Sequence, residues 1–140
     1  REIEAYKRKI SGPLLDRMDM QINLIRVEYT DLKEKRKGEC SATIRSRVTA
    51  ARKLQLKRFK GTNIFCNAQL GRKEVVEYCA LDEEAQNMME KYFSALHLSA
   101  RSHDRILKVA RTIADLAGDE NITSKHLAEA IQLRTNINNR

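Results

Sequence analysis

The rhythm of apolar and polar positions changes along this chain, and the change divides it. From residue 20 to 27 the order is two-residue. Met20, Ile22 and Leu24 alternate with Gln21 and Asn23, and Ile25 and Val27 extend the apolar character. A period of two predicts a single strand of about eight residues. A lone strand leaves its backbone groups unpaired, so this one requires partners. No second segment of that quality follows. The rest of its sheet is therefore expected upstream of Arg1, and residues 1–38 are expected either to lack order or to pair only with themselves.

From Ser41 onward the period is helical. Ile44, Val48, Ala51 and Phe59 fall close together on a helical wheel, with Leu54 to one side, which predicts a helix from Ser41 to Phe59 capped by Ser41 or Thr43. A loop, Gly61 to Gln69, and a short helix, Gly71 to Cys79, come next. Asp82 caps the following helix, with Glu83 and Glu84 in the first turn, where the helix dipole favours anions. That helix runs to Leu96 and is expected to bury Ala85, Met88, Met89, Tyr92, Phe93 and Leu96. Ser99 caps a long helix that stops at Gly118, a glycine just past the helix end. Its apolar face is Ile106, Val109, Ala110, Ile113, Leu116 and Ala117, widened by Leu107 and Ala114. Thr123 caps a last helix to about Arg134, with Leu127, Ala130 and Ile131 inward, and the tail from Thr135 to Arg140 frays. The expected fold is mainly α. Residues 39–140 form a bundle of four main helices, with a short helix between the first and second. Residues 1–38 form a separate part that holds a short helix and the orphan strand, joined to the bundle by a charged connector from Asp31 to Glu39.

The short helix begins at Gly12-Pro13, a start signal because proline at the first helical position sacrifices no hydrogen bond. Arg17 lies near its end, between Asp16 and Asp19. Such an arginine is either one half of a surface ion pair or a cation held out towards an anion. At 140 residues the chain is about one domain long. It opens at Arg1 inside a charged pattern, so it is expected to be a piece of a larger protein. No apolar run reaches membrane-spanning length, no signal peptide is visible, and no membrane partner is expected. Cys40, Cys66 and Cys79 share no C-x-x-C spacing, which fits reduced, structural thiols in a cytoplasmic protein.

Charge adds what periodicity omits. The net charge is +8, but residues 1–70 hold 17 Lys/Arg against 8 Asp/Glu, whereas residues 71–140 hold 10 against 11. Between Ser41 and Lys60 there are seven cations and no acid. Arg45, Arg52, Lys53 and Lys57 in that run are candidate contacts for nucleic acid, nucleotide phosphates or an acidic partner. The alternative is a solvated helix face.

Few other residues point to chemistry. His97, His103 and His126 are scattered without zinc spacing, so no metal site is expected. No Ser-His-Asp or Cys-His arrangement can be built, and G-x-x-x-x-G-K-[ST] is absent, which excludes a nucleotide held in the P-loop manner by this chain. Arg101 stands out. A cation in the first turn after the Ser99 cap opposes the helix dipole, while a helix N-terminus with an added arginine suits a phosphate. The competing reading turns Arg101 outward to pair with an acid such as Asp104.

The stretch Tyr6-x-x-Lys9-Ile10-Ser11-Gly12-Pro13-Leu14-Leu15-Asp16-Arg17-Met18-Asp19 closely resembles a signature of the magnesium-chelatase-like branch of the AAA+ ATPases. The run from Leu98-Ser99-Ala100-Arg101-Ser102 to Leu116-Ala117-Gly118 resembles the same family. So do His126-Leu127-Ala128-Glu129-Ala130-Ile131-Gln132-x-Arg134 and Arg47-Val48-x-x-Ala51-Arg52-x-x-Gln55. The likeness is weakest from Asp31 to Glu39. It implies that Arg17 is an arginine finger directed at the γ-phosphate in a neighbouring subunit and that Arg101 is the sensor-2 residue. It implies that residues 39–140 are the helical lid of the ATPase module and that residues 1–38 are the edge of its core. The family's P-loop, acidic Mg²⁺ motif and sensor-1 residue have no match here, so ATP and Mg²⁺ are expected in the full-length protein and neither on this chain alone. The expected partners are neighbouring subunits of a homo-oligomeric, hexameric ring, with DNA as the substrate of a branch-migration or helicase-type motor similar to the competence-associated relatives. Two alternatives remain. One is the motor subunit of a chelatase that inserts Mg²⁺ into a porphyrin, and the other is a basic helical nucleic-acid-binding module without ATPase.

Overall fold

Helix-end chemistry sets the boundaries of the bundle. The computed structural model describes residues 12–22, 24, 26–29, 33 and 38–135. Six helices lie among them: α1 (Gly12–Leu15), α2 (Ser41–Arg58), α3 (Arg72–Tyr78), α4 (Glu83–Ala95), α5 (Ala100–Ala117) and α6 (Ser124–Thr135). Asp82 caps α4, its carboxylate accepting from the Ala85 N–H at 2.8 Å. Ser99 caps α5, its hydroxyl accepting from the Ser102 N–H at 3.1 Å. Gly118 ends α5 in the left-handed region at φ 83°. There its N–H reaches the Asp115 carbonyl while the Asp119 N–H reaches back to Ala114, which satisfies carbonyls that the helix itself leaves open. Thr123 precedes α6, and its N–H donates to Nδ1 of His126 at 3.2 Å. A side chain three residues in thus returns to the residue that starts the helix, as in a capping box.

The core gathers on α5. Ile106, Leu107, Ala110 and Ala114 are buried, and α6 packs against them with Leu127, Ala130 and Ile131. Phe59 closes one end of α2 and meets Tyr78 edge-on, with ring centroids 5.3 Å apart. Cys79 is buried with them, and burial pushes its thiol up to about 11, as expected for an inert structural cysteine. A single parallel bridge joins Leu81 to Ile122. It ties the approach to α4 to the approach to α6.

Several expectations give way. The described residues between Met20 and Val27 form no strand, and Ile22 and Leu24 are 69% and 93% exposed. Alternation records a burial pattern that needs a sheet to enforce it, and among the described residues no strand lies alongside. Among the described residues a backbone bond ties this segment to α6, from the Gln21 N–H to the Leu133 carbonyl at 2.7 Å. Asn23 and Ile25 lie outside the described residues, as do residues 1–11, most of the connector and the tail from 136. Cys40, not Ser41 or Thr43, takes the N-cap position of α2, and its side chain makes no cap bond. Ile44, Val48 and Leu54 on α2 are exposed, as are Tyr92, Phe93 and Leu96 around the end of α4 and Leu116 on α5. On α2 the inward places go to Ala51, Gln55 and Phe59. The expected 61–69 loop contains a 3-10 turn, Asn67–Gln69.

Gln55 is buried because a carboxylate waits opposite it. Asp115 accepts from Gln55 Nε2 at 3.2 Å, Asn67 Nδ2 at 2.8 Å, Arg111 Nε at 3.1 Å and Arg58 Nη1 at 3.0 Å. Arg111 also donates to the carbonyls of Glu120 and Asp119. Among the described residues no buried side-chain polar atom lacks a partner. A buried ion pair is tolerable only when its remaining donors are satisfied in this way.

Candidate functional site

The turn after α1 is bound to the mouth of α5 by a carboxylate. Asp16 Oδ1 accepts from the Ser102 hydroxyl at 2.9 Å, and Oδ2 lies 3.1 Å from the Ser99 hydroxyl. Arg134, near the end of α6, completes the cluster. Its Nη2 donates to Ser102 Oγ at 2.8 Å and lies 3.3 Å from Asp16 Oδ1, and its Nη1 donates to the Met18 carbonyl at 2.6 Å. Ser102 Oγ also lies 3.0 Å from Ser99 Oγ, so the single Ser99 hydroxyl proton is shared between Asp16 Oδ2 and Ser102 Oγ, while Ser102 gives its proton to Asp16. The Ser102 bond, with Ser99 and the charges of Arg134 and Arg101, holds the Asp16 carboxyl below its ordinary range and outweighs the opposing effect of burial. Asp19 adds an ion pair to Arg105 one turn further along α5. A cleft of about 220 Å³ opens beside this cluster, between Leu15–Asp16 and the Leu96–Ser99 loop.

Arg17 is the next residue after Asp16. Its backbone N–H is tied to the Leu14 carbonyl at 3.0 Å, but its side chain is exposed and has no partner among the described residues. Arg101 stands in the first turn of α5, between the two serines that hold Asp16, and is likewise exposed without a partner among the described residues. The proposed alternative partner, Asp104, instead faces Arg72 at 3.6 Å and His103 at 3.1 Å. A groove of about 720 Å³ is lined by the cations Arg72, Arg101, Arg105 and Lys108 and by the acids Asp19, Asp104 and Glu129, with Met20, Leu70 and Leu133 among its apolar walls. Arg105 is paired with Asp19 and Arg72 with Asp104, which leaves Arg101, beside the helix N-terminus, as the cation suited to a phosphorylated ligand. Among the described residues no group of three or more His, Cys, Asp or Glu could hold a metal ion.

On α2, Arg45 and Arg52 are seven residues apart and share one stripe, and Lys53 and Lys57 form the next. All four are exposed. Arg52 donates to Gln55 Oε1 at 2.6 Å. Two other cations of that basic run are engaged: Arg47 forks onto Glu39, and Arg58 turns inward to Asp115. Every residue from Ser41 to Ala50 is exposed, so the first half of this helix stands clear of the bundle.

Charge and helix-end reasoning singled out Arg17 and Arg101, and the structure places them on either side of one polar cluster. Asp16, Ser102 and Arg134 escaped that reasoning. The only local signal was a pair of hydroxyls, Ser99 and Ser102, three residues apart at a helix mouth. Nothing local says which acid meets them, because Asp16 is 86 residues from Ser102.

Residues 38–134 match the family model described as magnesium chelatase, subunit ChlI C-terminal, and residues 1–32 match the model described as magnesium chelatase, subunit ChlI. The chain is 37% identical over 137 residues to competence protein ComM of Haemophilus influenzae, covering 97% of this chain and 26% of that protein. It is 40% identical over 130 residues to the protein YifB of Escherichia coli and 38% identical to YifB of Salmonella typhimurium, in each case covering 92% of this chain and 25% of the relative. The chain thus spans about a quarter of the length of the curated relatives it matches. No helix among the described residues is long and apolar enough to cross a membrane.

Proposed function

Because this chain belongs to the family of the C-terminal region of magnesium chelatase subunit ChlI, we propose that it forms the lid end of an ATP-driven AAA+ ring motor, with residues 1–38 as the edge of the core and 39–140 as the lid. In this reading Arg17 is the arginine finger for nucleotide held by a neighbouring subunit, and Arg101 senses nucleotide in its own. The observation that carries it is the pair of exposed arginines, each on an anchored backbone and each without a partner among the described residues. A guanidinium held in place but not neutralised is suited to meeting charge that develops on a transferred phosphoryl group. ATP and Mg²⁺ bind in the full-length ring, and the Mg²⁺ ligands lie elsewhere in it.

The test is ATP hydrolysis by the full-length protein that carries this chain. Arg17→Ala lowers kcat by about a thousandfold. Mixing it with a P-loop variant restores activity, because each supplies what the other lacks. Unchanged hydrolysis in Arg17→Ala overturns the finger.

For the substrate of the motor we favour DNA. The support is the exposed Arg45, Arg52, Lys53 and Lys57 face on α2 and the name of the Haemophilus influenzae relative, competence protein ComM. The family description favours a second reading, a chelatase motor that drives Mg²⁺ into a porphyrin. Faster ATP hydrolysis with branched DNA supports the first reading. Porphyrin metallation with partner subunits supports the second.

A further inference from the structure

Two arginines proposed to serve two different nucleotides are joined in this structure through one carboxylate. Asp16 is bonded in sequence to Arg17. Its oxygens are held by Ser102 Oγ at 2.9 Å and Ser99 Oγ at 3.1 Å, on both sides of Arg101. Arg134 Nη1 fixes the far side of the same turn at the Met18 carbonyl, 2.6 Å away, and the Gln21 N–H reaches the Leu133 carbonyl at 2.7 Å. The turn is thus fastened to the head of α5 and the tail of α6. Those helices form the largest packed pair of the bundle, sharing the buried side chains Ile106, Ala110, Leu127 and Ile131. α1 has only four residues, too short to hold its own orientation, so these contacts hold the backbone from which Arg17 projects.

We propose that Asp16 is a positioning residue that locks the Arg17 turn to the N-terminus of α5, so that Arg17 and Arg101 move as one body. This inference rests on the reading of Arg17 as a trans-acting finger. Binding of nucleotide at Arg101 in one subunit then displaces α5, and with it Arg17 in the neighbour's site. The lock is well suited to transmission because it is charge-assisted on both sides, a carboxylate to hydroxyls and a guanidinium to the carboxylate. It contains no long flexible side chain in the span between Asp16 and Ser99 or Ser102. A displacement of about 1 Å at a catalytic group changes rates by about a hundredfold, so a loose lock is felt in kcat before it is felt in binding.

The experiment is a double-mutant cycle on ATP hydrolysis by the full-length protein, with Asp16→Asn, Arg17→Ala and both together. Asp16→Asn alone lowers kcat by about tenfold or more with KM changed by less than about threefold. It also brings the dependence of rate on ATP concentration towards a Hill coefficient of one. On the Arg17→Ala background Asp16→Asn costs nothing further, because its effect passes through the finger. A residue that merely stabilises the fold lowers activity equally on both backgrounds, and that result overturns the proposal. So does an Asp16→Asn protein with unchanged kcat. If Arg17→Ala is itself silent, the finger reading fails. If Arg17→Ala is crippled and Asp16→Asn is normal, only the lock fails. Should Asp16→Asn lower the melting temperature enough to compromise the ring, Ser102→Ala replaces it in the same cycle. It removes one of the two hydroxyls, and the same additive or non-additive outcome decides.

Discussion

A carboxylate without solvent contact persists in a helical core only if its surroundings return more than water gave it. Asp115 is fully buried, and burial pushes its carboxyl up. Hydrogen bonds from Arg58 and Asn67 and the charges of Arg58 and Arg111 more than offset this and hold it below the ordinary carboxylate value. The sign of the pH dependence follows. A carboxylate whose folded pKa is depressed contributes stability that is complete above its unfolded value, about pH 4, and is lost as pH falls through the lower folded value. Asp115→Ala leaves Arg111 buried beside an unmatched charge, so it lowers stability at neutral pH by about 3–5 kcal/mol. Thermal melts of both proteins from neutral pH down to strong acid show a gap that is constant above about pH 4 and narrows below it. A gap that stays constant into strong acid shows that packing, not charge, is the source.

At the scale of elements, helix ends with a capping side chain or glycine are legible, the uncapped start of α2 at Cys40 is not, and helix faces are less legible. Gly118 is an example of the first. Its φ of 83° is strained for any residue with a Cβ, and no atom lies within 4 Å of where a Cβ would stand. Gly118→Ala therefore carries a backbone cost alone, about 1–2 kcal/mol, read as a lower melting temperature with no change in core packing. A clash elsewhere would be needed to exceed it, and none is available. Asp82, Ser99 and Gly118 could be named in advance because a cap is decided within four residues. Ile44, Val48, Tyr92 and Phe93 could not be placed, because a wheel says which residues share a face and not whether anything covers it. On α2 the buried positions include Gln55, and Arg58 turns inward beside it, since Asp115 on α5 draws both. The candidate site divides the same way. Arg17 and Arg101 are conspicuous where they stand in the chain. The link between them runs through Asp16, Ser102 and Arg134, with sequence separations of 86 and 118 residues, and only the fold supplies it.

For the molecule as a whole, the question is how much of the +8 net charge reaches a nucleic acid. The basic run from Ser41 to Lys60 carries seven cations, but the structure withdraws two. Arg58 is spent on Asp115 and Arg47 on Glu39. Residues 71–140 are close to neutral as a whole, so they add little net attraction. α2 is 18 residues long, about 27 Å, long enough to follow several phosphates along a groove edge. Five cations remain, of which Lys60 lies past the end of α2. The proposed DNA contact involves the four on the helix, Arg45, Arg52, Lys53 and Lys57, and each neutralised phosphate contributes about −0.9 to the slope of log K against log salt, or about −3.6 for four. Binding of duplex DNA measured by anisotropy across a salt series tests this. Arg52→Glu with Lys53→Glu flattens the slope by about two or more contacts' worth, while Arg47→Ala leaves it nearly unchanged because that side chain is already neutralised by Glu39. A slope set by all seven cations would mean that both ion pairs open on binding. Salt-independent or absent binding would make this a solvated helix face, and contact with DNA would then have to come from elsewhere in the ring.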